Sequence, residues 1–145
     1  MKSKLIAETG QKVWAIVFET GEEAAEGLMK FARDQKLSAS HFTAIGAFQE
    51  VELGFFEIEK RAYKCIPIYE QLEVLSLIGD VSLDRGEPKI HAHVVLGKAD
   101  GSAWGGHLLK GIVRPTLEVI LTESPAHLRR RHDDATGLSL IDPQK

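Results

Sequence analysis

The chain has 145 residues, a formal net charge of −3 at pH 7 and a composition that is 43% hydrophobic and 27% charged. This length fits one domain that can bury its own core, and the composition is that of an ordinary globular protein. The acidic balance argues against a surface built mainly for nucleic-acid phosphates, which needs a basic stripe. A single cysteine, Cys65, excludes an internal disulfide framework and favours a reducing cytoplasm. No leader-like segment and no run of about eighteen apolar residues is found, so neither secretion nor contact with a membrane is expected.

The first predicted elements are a strand and a helix. Residues 13–18 form an apolar run of strand length. The run is followed by Thr20-Gly-Glu-Glu23, which fits a capping box in which the Thr20 hydroxyl accepts the backbone N–H of Glu23. The helix is expected to end near Gln35. One apolar stripe predicts that the helix covers a sheet, and it consists of Ala25, Leu28, Met29 and Ala32.

Most of the remaining chain is predicted to be strand. The predicted strands are residues 41–48, 51–58, 64–69, 73–83, 89–97, 103–113, 116–122 and 137–141. Their connections are too short for helical crossovers, so the pairing is expected to be mainly antiparallel. Gly46 either lets another backbone or a ligand approach closely, or marks a bulge or tight packing.

Three of the six histidines, His91, His93 and His107, occur in two neighbouring predicted strands. Residues two apart on a strand share a face, so His91 and His93 project the same way. An antiparallel return after a turn near Asp100-Gly101 brings His107 to that face only if the loop is odd in length or a bulge is present. Gly105-Gly106 is the candidate bulge.

Three neutral imidazoles with one open position are the ligand set of catalytic zinc, which lowers the pKa of a bound water to about 7. Glu118 is the candidate for a fourth ligand in a closed site. The alternative is three hydrogen-bonded histidines on a half-buried sheet, held there for structural reasons or lining a subunit contact. By ligand type zinc, copper, iron and nickel fit equally, and zinc is chosen for its frequency in open three-histidine sites.

One segment is locally basic, Arg129-Arg130-Arg131-His132, and Asp133-Asp134 follows it directly. The carboxylates would partly cancel the field of the arginines. The segment is therefore predicted to be a solvated helical face, and a contact to nucleic acid is the alternative.

Several ordered motifs resemble the plants-and-prokaryotes-conserved (PPC) domain family. They are Thr43-Ala-Ile-Gly-Ala-Phe48, Leu72-Glu-Val-Leu-Ser-Leu-Ile-Gly79, Ile90-His-Ala-His-Val-Val-Leu-Gly97, Gly105-Gly-His-Leu108 and Pro115-Thr-Leu-Glu-Val119. The resemblance implies an α/β fold of the α+β type: a single domain over 1–145 with a strongly bent, mainly antiparallel sheet, one main covering helix and assembly as a homotrimer. The motifs span a core of about 12–123, which leaves a C-terminal extension, 124–145.

The resemblance also bears on function. Plant members carry AT-hooks and bind DNA, but this chain has no Arg-Gly-Arg-Pro core for an A·T-rich minor groove. It also lacks the Gly-Arg-Phe-Glu-Ile-Leu motif through which plant members contact transcription factors, because Glu70 and Gln71 replace the Gly-Arg. Some prokaryotic members resemble metal proteins, which implies that His91, His93 and His107 hold an ion.

Three functions follow as hypotheses. The first and leading one is a trimeric metal-binding protein, a hydrolase of a small unknown substrate if it is an enzyme. The others are a DNA-binding or transcription-associated module and a trimeric scaffold without chemistry. The expected partners are further copies of the chain and a small-molecule ligand, with DNA not favoured. No general base stands out, and Glu118 and Glu73 are guesses.

Overall fold

A computed structural model describes residues 1–7, 10–124 and 126–144. The strands are β1 (Lys2–Ala7), β2 (Val13–Glu19), β3 (Ala39–Glu57), β4 (Ala62–Ile68), β5 (Leu72–Asp84), β6 (Glu87–Gly97), β7 (Ala103–Glu123), β8 (Arg130–Asp133) and β9 (Leu138–Ile141). One α-helix, α1 (Ala24–Asp34), lies between β2 and β3 in the described chain. No helix in these described ranges is long and apolar enough to cross a membrane.

Seven strands form one sheet in the order β1-β2-β7-β6-β5-β3-β4. Strand β3 also pairs with β7, so that β3, β5, β6 and β7 close into a ring. The strand pairings are antiparallel, as the short connections predicted. The inward side chains of the ring and one face of α1 enclose the hydrophobic core. The predicted fold class, a single domain with a bent antiparallel sheet and one covering helix, is confirmed.

Strand β3 replaces two predicted strands, residues 41–48 and 51–58. It pairs with β5 from Ala39 to Phe48 and with β4 from Val51 to Glu57. The polar dipeptide Gln49-Glu50, which suggested a break, is the point at which β3 exchanges one neighbour for the other. Pairing with β7 continues past this point. The prediction of two strands was wrong because a strand that changes partners needs no turn.

Strand β7 likewise joins two predicted strands, residues 103–113 and 116–122. It pairs with β6 from Ala103 to His107 and with β2 from Thr116 to Thr122. The peptide bond between Arg114 and Pro115, at the predicted gap, is cis, and the strand continues through it. The two long strands β3 and β7 therefore pair with each other, and each of them also pairs with two shorter strands.

Helix α1 forms where it was predicted, but its N-cap differs. The cap is Glu23, whose carboxylate accepts the backbone N–H groups of Ala25 (3.1 Å) and Glu26 (2.5 Å). Thr20 instead donates its hydroxyl to the carbonyl oxygen of Pro115 at 3.0 Å. The capping box was wrong because the longer Glu side chain reaches the helix end by itself. The buried helix residues are Ala24, Leu28, Phe31 and Ala32.

The last two strands form a separate hairpin, β8–β9. The predicted strand 137–141 is confirmed by β9, whereas the predicted helical face at residues 129–132 was wrong, because β8 is extended there. Alternation along β8 turns the Arg130 side chain inward, where it is 5% exposed. The backbone N–H of Leu83 donates to the carbonyl oxygen of Leu128 at 2.7 Å. The hairpin therefore starts beside the end of β5.

Candidate metal centre

The β6–β7 hairpin sets the register of the three histidines. Its loop covers residues 98–102, an odd number, and His93 pairs directly with His107. Of the two predicted possibilities, the odd-length loop is therefore confirmed. The register from Gly97 to His93 is continuous, so no bulge is present at Gly105-Gly106. Asp100 stabilises the turn by accepting the backbone N–H of Ser102 at 2.9 Å.

The two glycines before His107 do not form the predicted bulge, but they allow neighbouring strands to approach closely. A Cβ on Gly105 would lie 3.0 Å from the carbonyl oxygen of Val94, and one on Gly106 would lie 3.0 Å from that of Gly54. Both distances are tighter than ordinary contacts. Glycine at these positions lets β7 lie close to β6 on one side and to β3 on the other, which fixes the start of the strand that carries His107.

Alternation along β6 sends Ala92 and Val94 into the core and leaves His91 and His93 on the outer face of the ring. There the histidines converge: the candidate ligand nitrogens of His91, His93 and His107 all lie within 4.8 Å of one another. The Nε2 atoms of His91 and His93 are 3.1 Å apart. Two zinc–nitrogen bonds of about 2.0–2.1 Å at a tetrahedral angle separate their nitrogens by about 3.4 Å. The His91–His93 pair thus has nearly the spacing that a single ion requires, and His107 has a candidate nitrogen within 4.8 Å of both.

The environment keeps two of these rings, those of His91 and His107, neutral. Burial, together with the neighbouring His91 and His93, lowers the pKa of His107 to about 4. Burial and His93 also lower the pKa of His91, against the opposing effect of Asp80. Neutral imidazoles at pH 7 have the lone pair that a metal ligand needs. The buried Nδ1 atom of His107 has no hydrogen-bond partner among the described residues, so one ring nitrogen of this histidine is left unsatisfied.

Neither predicted carboxylate belongs to the cluster. Glu118 pairs with Val17 and Ile45, whereas His107, on the same strand, pairs with His93. Glu73 pairs with Gly97 at the far end of the hairpin. In the described chain the group that could hold an ion contains the three histidines alone. The prediction of Glu118 as fourth ligand was therefore wrong, because Glu118 lies eleven positions further along β7 than His107.

Three residues around the cluster were not predicted. Asp80 on β5 pairs with His91, and its Oδ2 atom lies 3.7 Å from His91 Nδ1. Arg130 donates from Nη2 to Asp80 Oδ1 at 2.7 Å. The ring of Tyr63 stacks on that of His107, with centroids 4.8 Å apart. Asp80 could have been noticed as a charged residue inside an apolar strand, but nothing in the sequence places β4 or the C-terminal hairpin here.

Two cavities flank the histidines. The larger, of about 380 Å³, lies over β3, β5 and β6 and is lined by His41, Phe42, Thr43, Ile78, Gly79, Asp80, His91 and His93. The smaller, of about 160 Å³, lies between His107 and the β8–β9 hairpin and includes Tyr63 and Arg130. An ion at the cluster would therefore face space that admits water or a small molecule, as an open three-histidine site requires.

The family model of the Plants and Prokaryotes Conserved (PCC) domain matches residues 6–125. The chain is similar in structure to a plant- and prokaryote-conserved protein from Pyrococcus horikoshii, with 32% identity and a TM-score of 0.85, covering 99% of this chain and 96% of that one. It is also similar to a metal-containing protein from Archaeoglobus fulgidus, with 33% identity and a TM-score of 0.83, covering 97% of this chain and 99% of that one.

A bifunctional protein GlmU from Synechococcus sp. (strain JA-2-3B'a(2-13)) is 30% identical over 129 residues. The matched part is 87% of this chain and 19% of the GlmU protein. The chain thus spans about a fifth of the length of the curated relatives that it matches. Similarity over that fraction does not transfer the activity of the longer protein.

Proposed function

The chain belongs to the Plants and Prokaryotes Conserved (PCC) domain family, and on this premise we propose that it binds one divalent transition-metal ion, zinc, through His91, His93 and His107. The observation that carries the proposal is the convergence of three imidazoles with donor atoms within 4.8 Å. Similarity to a metal-containing protein at 33% identity supports it. Zinc is the proposed metal because open three-histidine sites are typical of it, although imidazole also suits copper, iron and nickel.

The residues present fit such an ion. Three imidazoles converge, and the buried Nδ1 of His107 has no hydrogen-bond partner among the described residues. A zinc ion with an open position lowers the pKa of a bound water to about 7. The 380 Å³ cavity beside His91 and His93 admits a small ligand to that position. We propose metal and ligand binding only, because Asp80, the carboxylate beside His91, is already held by Arg130 and Ser82.

Elemental analysis of the protein purified without a metal-affinity tag tests the metal site. We expect about one zinc per chain, and we expect its loss in His93→Ala and His107→Ala, because two imidazoles alone bind zinc weakly. His127→Ala is the matched control, since His127 is exposed and lies outside the cluster. Wild-type protein without metal, or a His107→Ala variant that keeps it, would contradict the proposal.

We also propose that the chain assembles as a homotrimer, as the family resemblance implies. The outer face of the ring, which carries the histidines, also carries exposed apolar side chains: Ile45 is 62%, Ile78 55% and Ile120 47% exposed. Ile78 pairs with both Thr43 and His93, so the apolar face is continuous with the metal site. Contiguous apolar surface of this kind is typical of an interface, and closed symmetry would cover it. On this proposal the metal centre borders the subunit interface.

Light scattering at micromolar concentration tests the assembly. We expect a mass three times the 16.0 kDa of the chain. Ile45→Lys and Ile120→Lys should shift the mass toward the monomer, because each would place a charge in the covered face. A monomeric wild-type protein would overturn the proposal.

The cytoplasm is the compartment that we propose. Cys65 is free and its side chain is exposed on β4. A reducing compartment keeps an exposed thiol from forming disulfides between chains.

A further inference from the structure

We infer that Asp80 is a positioning residue for His91, and that Arg130 of the C-terminal hairpin holds Asp80 in place for this task. The inference rests on the proposed metal site and concerns which nitrogen of His91 faces the ion. The Nε2 atom of His91 faces the Nε2 atom of His93 at 3.1 Å, whereas its Nδ1 atom faces Asp80 Oδ2 at 3.7 Å. The carboxylate therefore lies behind the ring, on the side away from His93.

The two oxygens of Asp80 have separate environments. The Oδ1 atom accepts two hydrogen bonds, from Arg130 Nη2 at 2.7 Å and from the Ser82 hydroxyl at 3.1 Å. The Oδ2 atom faces His91. Because Oδ1 is held by two donors, the carboxylate plane is fixed and Oδ2 keeps its direction toward the imidazole.

Arg130 is itself fixed. Its side chain is 5% exposed, and besides Asp80 it donates from Nε to the Ser82 hydroxyl at 2.6 Å and from Nη1 to the carbonyl oxygen of Ser139 at 2.9 Å. A buried guanidinium needs a counter-charge, and Asp80 supplies it. Residues 130–141 lie beyond the part of the chain matched by the family model, 6–125. The clamp on Asp80 is thus a contribution of the C-terminal hairpin to the metal site.

The consequence is a preferred tautomer of His91. The Nε2 atoms of His91 and His93, 3.1 Å apart, form a hydrogen bond when one of them carries a proton and the other accepts it. A carboxylate beside Nδ1 favours the proton on that nitrogen, so that His91 Nε2 presents a lone pair toward the cluster. Metal-bound histidines commonly have a carboxylate or carbonyl on their other nitrogen, which orients the ring and raises its basicity. At 3.7 Å the interaction is longer than a direct hydrogen bond, so Asp80 acts through its charge.

Asp80→Asn tests the inference, because it keeps the shape of the side chain and removes the charge. The matched control is Asp84→Asn on the same strand. Asp84 is 24% and Asp80 26% exposed, and Asp84 forms an ion pair with Lys89 rather than contacting a histidine. Asp80→Asn could fail to fold, because it leaves Arg130 buried without a counter-charge. In that case the double variant Asp80→Asn/Arg130→Met, which removes both charges, is tested in its place.

Two measurements are made on each variant. Nitrogen NMR of the metal-free protein reports the tautomer of His91, and competition with a chelator reports the zinc affinity. We expect the proton on Nδ1 in the wild type and in Asp84→Asn, and a shift toward Nε2 without Asp80. The zinc dissociation constant should rise by about 10–100-fold in the Asp80 variants and stay unchanged in the control.

The two measurements separate the two ideas. If Asp80→Asn leaves both the tautomer and the zinc affinity as they are in Asp84→Asn, the positioning role is wrong, whatever the wild type binds. If the tautomer shifts but the wild-type protein binds no zinc, the positioning role stands and the proposed metal site fails.

Discussion

Gly46 lies where the backbone of β7 runs directly against β3. Its φ angle is +151°, and a Cβ at this position would overlap the carbonyl oxygen of Thr116. The register of β3 with β5 shifts between Ala44 and Gly46, which is a bulge. Gly46 therefore has both of the predicted features, a bulge and the close approach of another backbone. The conformation and the overlap each exclude a larger residue.

Gly46→Ala should therefore lower the free energy of unfolding by roughly 2–4 kcal/mol, measured by chemical denaturation. Gly86→Ala is the control, because Gly86 also has a positive φ, +88°, but no atom lies within 4 Å of its added Cβ. That variant should lose about 1 kcal/mol from backbone strain alone. Equal losses in both variants would show that the overlap with β7 has no effect.

His107 makes the stability of the metal-free protein depend on pH. Its pKa falls from 6.5 to about 4 in the folded chain. Between these values the unfolded chain binds a proton that the folded chain does not, so the free energy of unfolding falls as the pH drops from about 6.5 to 4. His107→Asn should flatten this part of the profile in denaturant melts recorded with a chelator present. An unchanged slope in the variant would contradict the assignment.

The sequence predicted the three clustered histidines but not their surroundings. His91 and His93 could be placed on one face because strand alternation follows from spacing alone, whereas the face of His107 depended on a loop length that the sequence left open. Asp80 could not be assigned to His91, because their pairing depends on the register between β5 and β6. Arg130 reaches the site because its hairpin returns beside β5. This contact joins distant parts of the chain, so no local sequence pattern predicts it.

At the scale of elements, Glu23 joins α1 to β7. Its carboxylate caps two N–H groups at the start of the helix and also accepts the backbone N–H of Gly111 at 2.8 Å. Glu23→Ala should lower the free energy of unfolding by about 1–2 kcal/mol, because the cap and the link to the sheet are lost together.

Glu26→Ala controls for the loss of negative charge near the helix N-terminus. Glu26 is exposed in the first turn, and its removal should cost about 0.5 kcal/mol. Thermal melts of both variants compare the two effects. A loss in Glu26→Ala as large as in Glu23→Ala would show that charge near the helix end, and not the cap, is what matters.

The strands were predictable from apolar alternation, whereas their continuity was not. Polar Gln49-Glu50 and Arg114-Pro115 look like breaks, yet β3 and β7 pass through both. Each strand changes its pairing partner near that point. The order of strands in a sheet cannot be predicted from any local segment, so this continuity could not be predicted either. The strand β1 was missed for a similar reason, because its polar residues gain their strand conformation by pairing with β2.

For the whole molecule, we predict that DNA binding is weak or absent. The net charge is −3, and the one basic cluster is largely compensated: Arg130 is buried against Asp80, and Arg131 Nε lies 3.5 Å from a carboxylate oxygen of Asp142. Few phosphates can be neutralised by such a surface, so counterion release supplies little driving force. Fluorescence polarisation at about 150 mM salt should show no sequence preference and no submicromolar affinity. Tight, sequence-selective binding would make the transcription-associated module the better interpretation.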